Sequence, residues 1–394
     1  MKKQLSQTAK VILILLLLAL VIGGTNYLIL AYGPPPPSQR CHRIHVQVLA
    51  EPAPVQSQGG GATEEAGSAV GTGGGAPATS AGEMPKLFTP DELARRAGFG
   101  LASNADPAHW AASLGAGWYL DWAVQYRPQA PLPQHWQTIR LFPGGCVYPS
   151  LAAIRWAAFH NRGQVWIIGN EPDNIWQDDV TPEVYARVYH DLYLLIKKTD
   201  PSASIAVGGV SVVTPLRLAY LDRVLATYRE LYGEAMPADW WTVHGYVLRE
   251  ARGSWGVEIP PGFSENQGAM HGIEDHGRLD LFEAQIVAFR GWMAANGYRD
   301  KPLALTEFGI LLGPDTGYTP KMAAQYLRQT VSWLETATDE KFGYPADENR
   351  LVQRWAWFSL EDRFFPTSDL INDESDMLTV VGQAFREVVL STIK

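Results

Sequence analysis

Eight short apolar runs alternate with longer stretches of helical period in the part of the chain that follows residue 86. Each run has the length of a buried strand, and most of the intervening stretches repeat apolar residues on one helical face. The predicted strands are residues 99–103, 118–122, 138–142, 165–170, 204–210, 240–246, 303–308 and 352–358. A strand followed by a helix, repeated eight times, predicts an α/β fold of the (β/α)8 or TIM-barrel type.

The clearest helical signals begin with threonine and proline. Thr181–Pro182 and Thr319–Pro320 each place a capping residue before a proline that suits the first helical position. The predicted helices are residues 150–161, 181–198, 279–296, 320 to about 334, and 380–390. A doubly wound sheet is the main alternative, but GFGLASN does not match the G-x-G-x-x-G turn usual after its first strand. We therefore expect residues 87–394 to form one barrel domain.

A membrane signal stands at the start of the chain. Three lysines precede the apolar run 11–22, and apolar residues resume up to Ala31. The run alone suits a signal peptide, but no clear small-residue cleavage site follows it. Read as a whole, the segment is long enough to span a bilayer. We expect residues 1–32 to be an uncleaved signal anchor of a single-pass membrane protein with its barrel outside the cytoplasm; a cleaved signal and secretion are the alternative.

Residues 33–86 differ in composition from the rest of the chain. They begin with four consecutive prolines, and no Phe, Trp or Tyr occurs between Tyr32 and Phe88. Glycine triplets lie among Ala, Ser, Thr and Glu. Such a segment buries too little apolar surface to offset its ordering entropy. We expect it to be a flexible tether between the membrane segment and the barrel.

The composition narrows the possible partners. The net charge of −9 argues against nucleic acid or anionic lipid as the main partner. The two cysteines, Cys41 and Cys146, form neither a zinc pattern nor a disulfide framework. We expect a monomer that needs no cofactor.

Two glutamates follow predicted strands of the barrel. Glu171 comes just after the fourth strand in VWIIGNEPDN, and Glu307 ends the seventh in KPLALTEFGI. In a (β/α)8 barrel the carboxyl ends of all strands open on one rim, so both side chains can reach one pocket. A pair of facing carboxyls is what acetal hydrolysis requires. Taken singly, Glu171 could be a helix N-terminal carboxylate and Glu307 a salt-bridged rim residue.

The same stretches resemble clan A of the glycoside hydrolases, which are retaining enzymes on a (β/α)8 barrel. The resemblance rests on Asn-Glu-Pro at 170–172 and Thr-Glu-Phe-Gly at 306–309. GWYLDW, NEPD, VHGY, KPLALTEFG and WAWF look closest to the compact glucanase-like and xylosidase-like branches. The resemblance implies that Glu171 is the acid/base and Glu307 the nucleophile. It also implies that Asn170 hydrogen-bonds the sugar 2-hydroxyl.

Further substrate-binding residues follow from the resemblance. His244 and Tyr246 match a His-x-Tyr pattern at the sixth strand, so the tyrosine would hold the nucleophile. Trp357 would form the floor of the sugar subsite. Asp121 stands before Trp122 where the nearest branches tend to have Asn-Trp, which leaves the role of the aspartate open. His244 and Tyr246 share a strand face, so a hydrogen-bonded pair filling the barrel mouth is the alternative.

Strand ends supply the other candidates for sugar contact. Trp122, Trp176 and Trp357 fall near strand ends, where an aromatic face can stack on a sugar ring, although core packing explains any one of them equally well. Arg140 and Asp121 face the rim if the register of their strands is right. The stretch HGIEDHG at 271–277 is interpreted as a solvated loop and not as a metal site.

Together these features predict a retaining glycoside hydrolase that cleaves β-linked oligo- or polysaccharides. Repulsion between the two glutamates is expected to raise the pKa of the acid, Glu171. A glycan-binding barrel without catalysis is one alternative, although the presence of both glutamates argues against it. A transglycosylase using the same two residues is another.

Overall fold

The computed structural model describes residues 42–43, 89–126 and 132–390. Eight parallel strands form its centre: β1 (Ala97–Gly100), β2 (Trp118–Leu120), β3 (Gln134–Phe142), β4 (Val165–Ile168), β5 (Ser204–Val210), β6 (Trp240–His244), β7 (Leu303–Phe308) and β8 (Arg354–Trp357). Each strand pairs with the next along the chain, and β8 pairs with β1, so the sheet closes. The predicted (β/α)8 barrel is confirmed.

Helices cover the outside of the barrel. They are Pro90–Arg96, Pro107–Leu114, Leu151–His160, Pro182–Thr199, Pro215–Tyr232, Leu279–Ala295, Pro320–Thr336 and Val380–Leu390. Five of these match predicted helices to within two residues at each end, and the first, second and fifth were not predicted. The Thr319 hydroxyl caps its helix by accepting from the Met322 N–H at 3.3 Å. Thr181 holds the equivalent position without a capping bond from its side chain.

Side chains along each strand point alternately to the barrel interior and to the surrounding helices, which gives two separate apolar layers. The barrel interior is filled by one cluster that includes Trp118, Trp136 and Ala356. Trp355 and Trp357 point the other way, into the larger layer between strands and helices. Because side chains on a strand alternate with period two, these neighbours of Ala356 face the helices.

An antiparallel extension leaves the barrel at β3. This strand continues into a hairpin with Cys146–Tyr148, which also pairs with His42–Arg43. These two paired residues lie within the segment predicted to be a flexible tether. The rest of 33–86 lies outside the described residues.

Cys146 is disulfide-bonded, a bond that the spacing of the two cysteines did not indicate. The only other cysteine in the sequence, Cys41, lies outside the described residues, as does the predicted anchor at 1–32. Within the ranges that the structure covers, no helix has both the length and the apolar character needed to cross a membrane.

Candidate active site

A cleft of about 710 Å³ opens at the carboxyl ends of the barrel strands. Its walls come from segments that follow most of the strands, as expected for the functional rim of this fold. The predicted site residues that line it are Asn170, Glu171, Tyr246, Trp122, Asp121, Arg140, Trp176 and Glu307. Two further predicted residues, His244 and Trp357, do not line the cleft.

Glu171 lies on a tight turn directly after β4. Its backbone is left-handed, with φ 46°, and its N–H donates to the Gly209 carbonyl at 3.0 Å. The Asn174 side chain donates to Glu171 Oε2 at 2.7 Å. A left-handed backbone strains a residue with a side chain, so the surrounding bonds must hold this turn in place. The turn aims the carboxyl into the cleft.

Glu307 lies in β7 and receives two fixed donors. Trp122 Nε1 donates to Oε1 at 2.7 Å, and the Tyr246 hydroxyl donates to Oε2 at 3.1 Å. Trp122 also has a left-handed backbone, with φ 52°. Because both donors require an acceptor, they stabilise the ionised carboxylate, the form that a nucleophile needs.

His244 lies behind the two carboxyls and is fully buried. Its Nδ1 lies 2.8 Å from Glu171 Oε1, and its Nε2 lies 3.5 Å from Glu307 Oε1. The ring packs on Gly209, where an added Cβ would approach it to 3.0 Å. The histidine therefore contacts the acidic pair from below and is not placed to contact a substrate in the cleft, contrary to expectation.

One oxygen of Glu171, one of Glu307 and one nitrogen of His244 lie within 4.8 Å of one another. Carboxylates and imidazole can ligate a metal, but Trp122 and Tyr246 already donate to Glu307 and Asn174 to Glu171. The arrangement therefore fits a hydrogen-bonded pair of acids better than a vacant metal centre.

The electrostatics of the pair differ from expectation. Burial favours the neutral acid at Glu171, but the bond and charge of His244, with help from Asn174, lower the pKa of this carboxyl below its usual value. Burial raises the pKa of Glu307; His244 opposes this, and the nearby Glu171 reinforces it. The predicted rise at Glu171 is therefore wrong for the free protein, because the contacts with His244 and Asn174 outweigh the effect of burial on the pKa of Glu171.

Asp178 positions two of the predicted substrate-binding residues. Its fully buried carboxylate accepts from the Asn170 N–H at 2.7 Å and from Arg140 Nε at 2.7 Å. Burial raises the pKa of Asp178 to about 6, although Arg140 opposes the shift. No pattern in the sequence distinguishes Asp178 from its acidic neighbours, so sequence reasoning missed it.

Asp121 lines the cleft with a carboxylate that is already engaged. It accepts from Ala123 N–H at 3.1 Å and lies 2.7 Å from His135 Nε2. Burial disfavours its charge, but these contacts lower the pKa of Asp121 overall.

Trp176 lies at the edge of the cleft with 71% of its surface exposed, as an open aromatic face. It is placed where a sugar ring could stack on it.

Trp357 does not form the floor of the cleft. It is fully buried, and its indole N–H donates to the Ser368 carbonyl at 2.8 Å. The next residue, Phe358, lines the cleft instead, with its ring centroid 5.7 Å from that of Trp122. The prediction failed because it placed Trp357 on the inner face of β8, which Ala356 occupies.

Three buried charged residues join the turn that carries Glu171 to the long segment after β6. Arg217 Nη1 lies 3.0 Å from Asp173 Oδ2, and Arg217 Nε lies 2.9 Å from Glu250 Oε1. Arg217 also donates to the backbone carbonyls of Asp173 and Glu258. All three charged side chains are fully buried. Glu250 belongs to the long segment after β6 that includes Val257, a cleft residue.

The predicted solvated loop at 271–277 is partly buried. His276 is inaccessible, with Nδ1 2.9 Å from the Val247 carbonyl and Nε2 accepting from the Leu311 N–H at 2.9 Å. Burial lowers the pKa of His276 to about 4. This histidine joins two loops as a neutral ring, and the expectation of a solvated segment is wrong at this position.

The site thus consists of two buried carboxyls facing one cleft at the rim of a (β/α)8 barrel. No family model matches the chain, and no curated protein matches it. A GH128 (subgroup I) endo-β-1,3-glucanase from Amycolatopsis mediterranei in complex with laminaritriose is 17% identical, with a TM-score of 0.48, over 74% of this chain and 98% of that one.

Two further solved structures show a similar level of likeness. A GH128 (subgroup II) endo-β-1,3-glucanase from Pseudomonas viridiflava is 18% identical, with a TM-score of 0.48, over 74% of this chain and 96% of that one. A GH128 (subgroup III) curdlan-specific exo-β-1,3-glucanase from Blastomyces gilchristii in complex with glucose is 15% identical, with a TM-score of 0.49, over 76% of this chain and 99% of that one. Identities of 15–18% with TM-scores below 0.5 carry no information about the activity of this protein.

Proposed function

We propose that this protein is a retaining glycoside hydrolase that cleaves β-linked oligo- or polysaccharides. One observation carries the proposal: an oxygen of Glu171 and an oxygen of Glu307 lie within 4.8 Å of each other in one cleft. Retaining glycosidases hold their carboxyls about 5–5.5 Å apart, whereas inverting enzymes need about 6.5–9.5 Å to admit a water. The close approach of one oxygen of each carboxyl supports double displacement, and the separation of the whole carboxyl groups is the quantity that decides it.

The two glutamates have different tasks in this reaction. Glu307 attacks the anomeric carbon and forms a glycosyl ester while Glu171 protonates the leaving oxygen. Glu171 then takes a proton from water, which hydrolyses the ester. The donors from Trp122 and Tyr246 hold Glu307 in place for attack. Asn170 is placed to bind a sugar hydroxyl, because it lines the cleft and its backbone N–H donates to Asp178.

The division of labour is tested by two substitutions. Glu307→Gln should abolish turnover on every substrate, because no glycosyl ester can form. Glu171→Ala should slow unactivated sugars strongly but spare the first step on aryl glycosides, whose leaving groups need little protonation. Azide, which needs no base, should then restore turnover and give a β-glycosyl azide. Glu230→Ala, on an exposed helix face, is the matched control.

Each result separates the possible assignments. If the Glu307 variant shows azide rescue and the Glu171 variant does not, the two roles are reversed. If both variants match the activity of the Glu230 control, the glycosidase proposal is wrong. A panel of β-glucans, xylans, mannans and galactans, with product lengths recorded, gives the substrate and separates hydrolysis from transfer to a sugar acceptor.

We also propose that the barrel acts outside the cytoplasm, held to the cell membrane by residues 1–32. Two observations support this: the lysine-flanked apolar run, and the disulfide at Cys146, since such bonds persist mainly in oxidising compartments. The test is fractionation of the full-length protein with N-terminal sequencing. Soluble protein whose N-terminus lies beyond Ala31 would show a cleaved signal instead.

A further inference from the structure

His244 is the side chain that lies close to both carboxyls. Its ring is fully buried between them, 2.8 Å from Glu171 Oε1 and 3.5 Å from Glu307 Oε1. It does not line the cleft, so a substrate would not reach it. Whatever His244 contributes to the reaction must therefore act through the two glutamates.

The hydrogen bonds restrict where protons can lie on the ring. A carboxylate only accepts, so in the free protein the contact between Nδ1 and ionised Glu171 places a proton on Nδ1. Nε2 is buried and lacks a hydrogen-bond partner among the described residues. In the neutral ring it would turn a bare lone pair toward the Glu307 carboxylate, which is unfavourable in a buried site. A second proton on Nε2 removes this conflict and leaves an imidazolium between two anions.

We propose that His244 holds the proton of the acid step in the free protein and passes it from Nδ1 to Glu171 Oε1 when a substrate fills the cleft. This inference rests on the proposed function and makes His244 a positioning residue. The polar groups that face the ring are Glu171, Glu307, Asp173 and Tyr246. Burial opposes a charge on the ring, but Glu307 and Glu171 outweigh burial and raise the pKa of His244 above its usual value.

His244 regains the proton by the end of each reaction cycle. A bound sugar covers the small part of Glu171 that still faces the cleft, and a carboxylate that loses its remaining exposure becomes more basic. The proton moves to Oε1, the carboxyl turns to the leaving oxygen, and that oxygen takes the proton as its bond to C1 breaks and the Glu307–C1 bond forms. Water then bonds to C1 as the ester breaks. Its proton passes to Glu171 and returns to Nδ1, which restores the imidazolium.

This cycle explains why the free protein shows a lowered pKa at Glu171, the residue assigned as acid. In the free protein the proton for the acid step lies on the His244 ring, one hydrogen bond away from Glu171 Oε1, and not on Glu171 itself. When Glu307 becomes an ester it loses its charge, which weakens the attraction that held the second proton on the ring. The returning proton then meets Glu171 as an ionised base, as the second half of the reaction requires.

The storage of the proton is tested without any substrate. NMR of the ¹⁵N-labelled histidine ring in the full chain should show both ring nitrogens of His244 protonated at pH values above the ordinary histidine pKa of about 6.5. Glu307→Gln should lower the pH at which the ring becomes neutral. A ring that is already neutral at or below about pH 6.5 would overturn the proposal, whatever the enzymatic activity.

The transfer of the proton is tested with His244→Asn. The asparagine amide can still donate to Glu171 but has no proton to give up. On unactivated oligosaccharides kcat/KM should fall by about 100-fold, a typical general-acid contribution, with the alkaline limb of the pH profile displaced. On 2,4-dinitrophenyl glycosides the loss should be only a few-fold. Equal losses on both substrates would reduce His244 to a structural residue and overturn the proposal.

Tyr246→Phe is the comparison variant, because Tyr246 contacts Glu307 and donates no proton to Glu171. It should slow activated and unactivated substrates by similar factors. If the wild-type protein cleaves no glycoside, the proposed function fails, and the NMR titration alone decides whether His244 carries the stored proton.

Discussion

The indole of Trp122 donates a hydrogen bond of 2.7 Å to Glu307 Oε1, which links the second strand end to the seventh across the mouth of the barrel. The two residues are 185 positions apart in sequence. The bond restricts how the carboxyl can turn, and it stabilises the negative charge that forms again when the glycosyl ester is hydrolysed.

Replacing Trp122 with phenylalanine should therefore impair catalysis, because the variant keeps an aromatic side chain but loses the indole N–H donor. Hydrogen bonds to charged groups contribute about 1.5–3 kcal/mol, so kcat should fall roughly 10- to 150-fold. Steady-state kinetics on an aryl glycoside measure the loss. Trp156→Phe, on the helix Leu151–His160, is the control and should leave kcat unchanged. An equal, small effect of both changes would show that the Trp122 bond does not support the reaction.

Arg217→Met should destabilise the fold. The substitution leaves Asp173 and Glu250 buried without their cation, and breaking a buried ion pair typically costs about 3–5 kcal/mol. Urea denaturation measures the change in free energy of unfolding. Arg223→Met is the control, because Arg223 pairs with Glu183 at the surface, where such a pair contributes only up to about 1 kcal/mol. Similar losses for both variants would contradict the role assigned to the buried cluster.

Asp369 should make stability depend on pH. Burial, reinforced by Glu361 and Asp362, raises the pKa of Asp369 to about 7, although the Asp362 N–H donates to it. Since its pKa is about 3.9 in an unfolded chain, the folded state binds more protons between these values. The free energy of unfolding should therefore fall as the pH rises through that window.

Asp369→Asn should flatten this dependence, because the amide mimics the neutral acid and can still accept from Asp362. Urea midpoints from about pH 4 to 8 provide the measurement. The variant should match the wild type at the acidic end and exceed it at the alkaline end. Asp300→Asn, at an exposed position, is the control and should follow the wild-type curve. Parallel curves for all three proteins would rule out Asp369 as the source.

The disulfide at Cys146 should stabilise the hairpin that extends from β3. Disulfides typically contribute about 2–4 kcal/mol, so Cys146→Ser should lower the Tm, and adding reductant to the wild type should lower it by a similar amount. Scanning calorimetry with and without reductant measures both. A wild-type Tm that does not respond to reductant would mean that the bond contributes nothing to stability.

The barrel itself could be predicted from the sequence because most strands are short apolar runs and five of the helices that follow them show helical periodicity. β5 and β7 matched the prediction at both ends. The helix Pro215–Tyr232 was missed because its buried face includes Arg217, a charged residue whose partners come from distant segments. Local periodicity reports apolar faces and cannot report ion pairs formed only in the folded state.

The two glutamates could be predicted because strand ends in this fold meet at one rim. Their supporting residues could not, since each depends on geometry that no local pattern encodes. Asn174 reaches Glu171 only because of the left-handed turn between them. Phe358 replaces Trp357 in the cleft because a one-residue difference in register exchanges the two faces of a strand.

The left-handed backbones at Glu171 and Trp122 have a consequence for protein engineering. Such a conformation costs a residue with a side chain about 1–2 kcal/mol, which glycine largely avoids. Glycine or asparagine would relieve this backbone cost at either codon only by removing the Glu171 carboxyl or the Trp122 bond to Glu307, so any clone stabilised in this way would lose catalytic function. A library that is screened for thermal tolerance should keep both codons constant and place its diversity elsewhere.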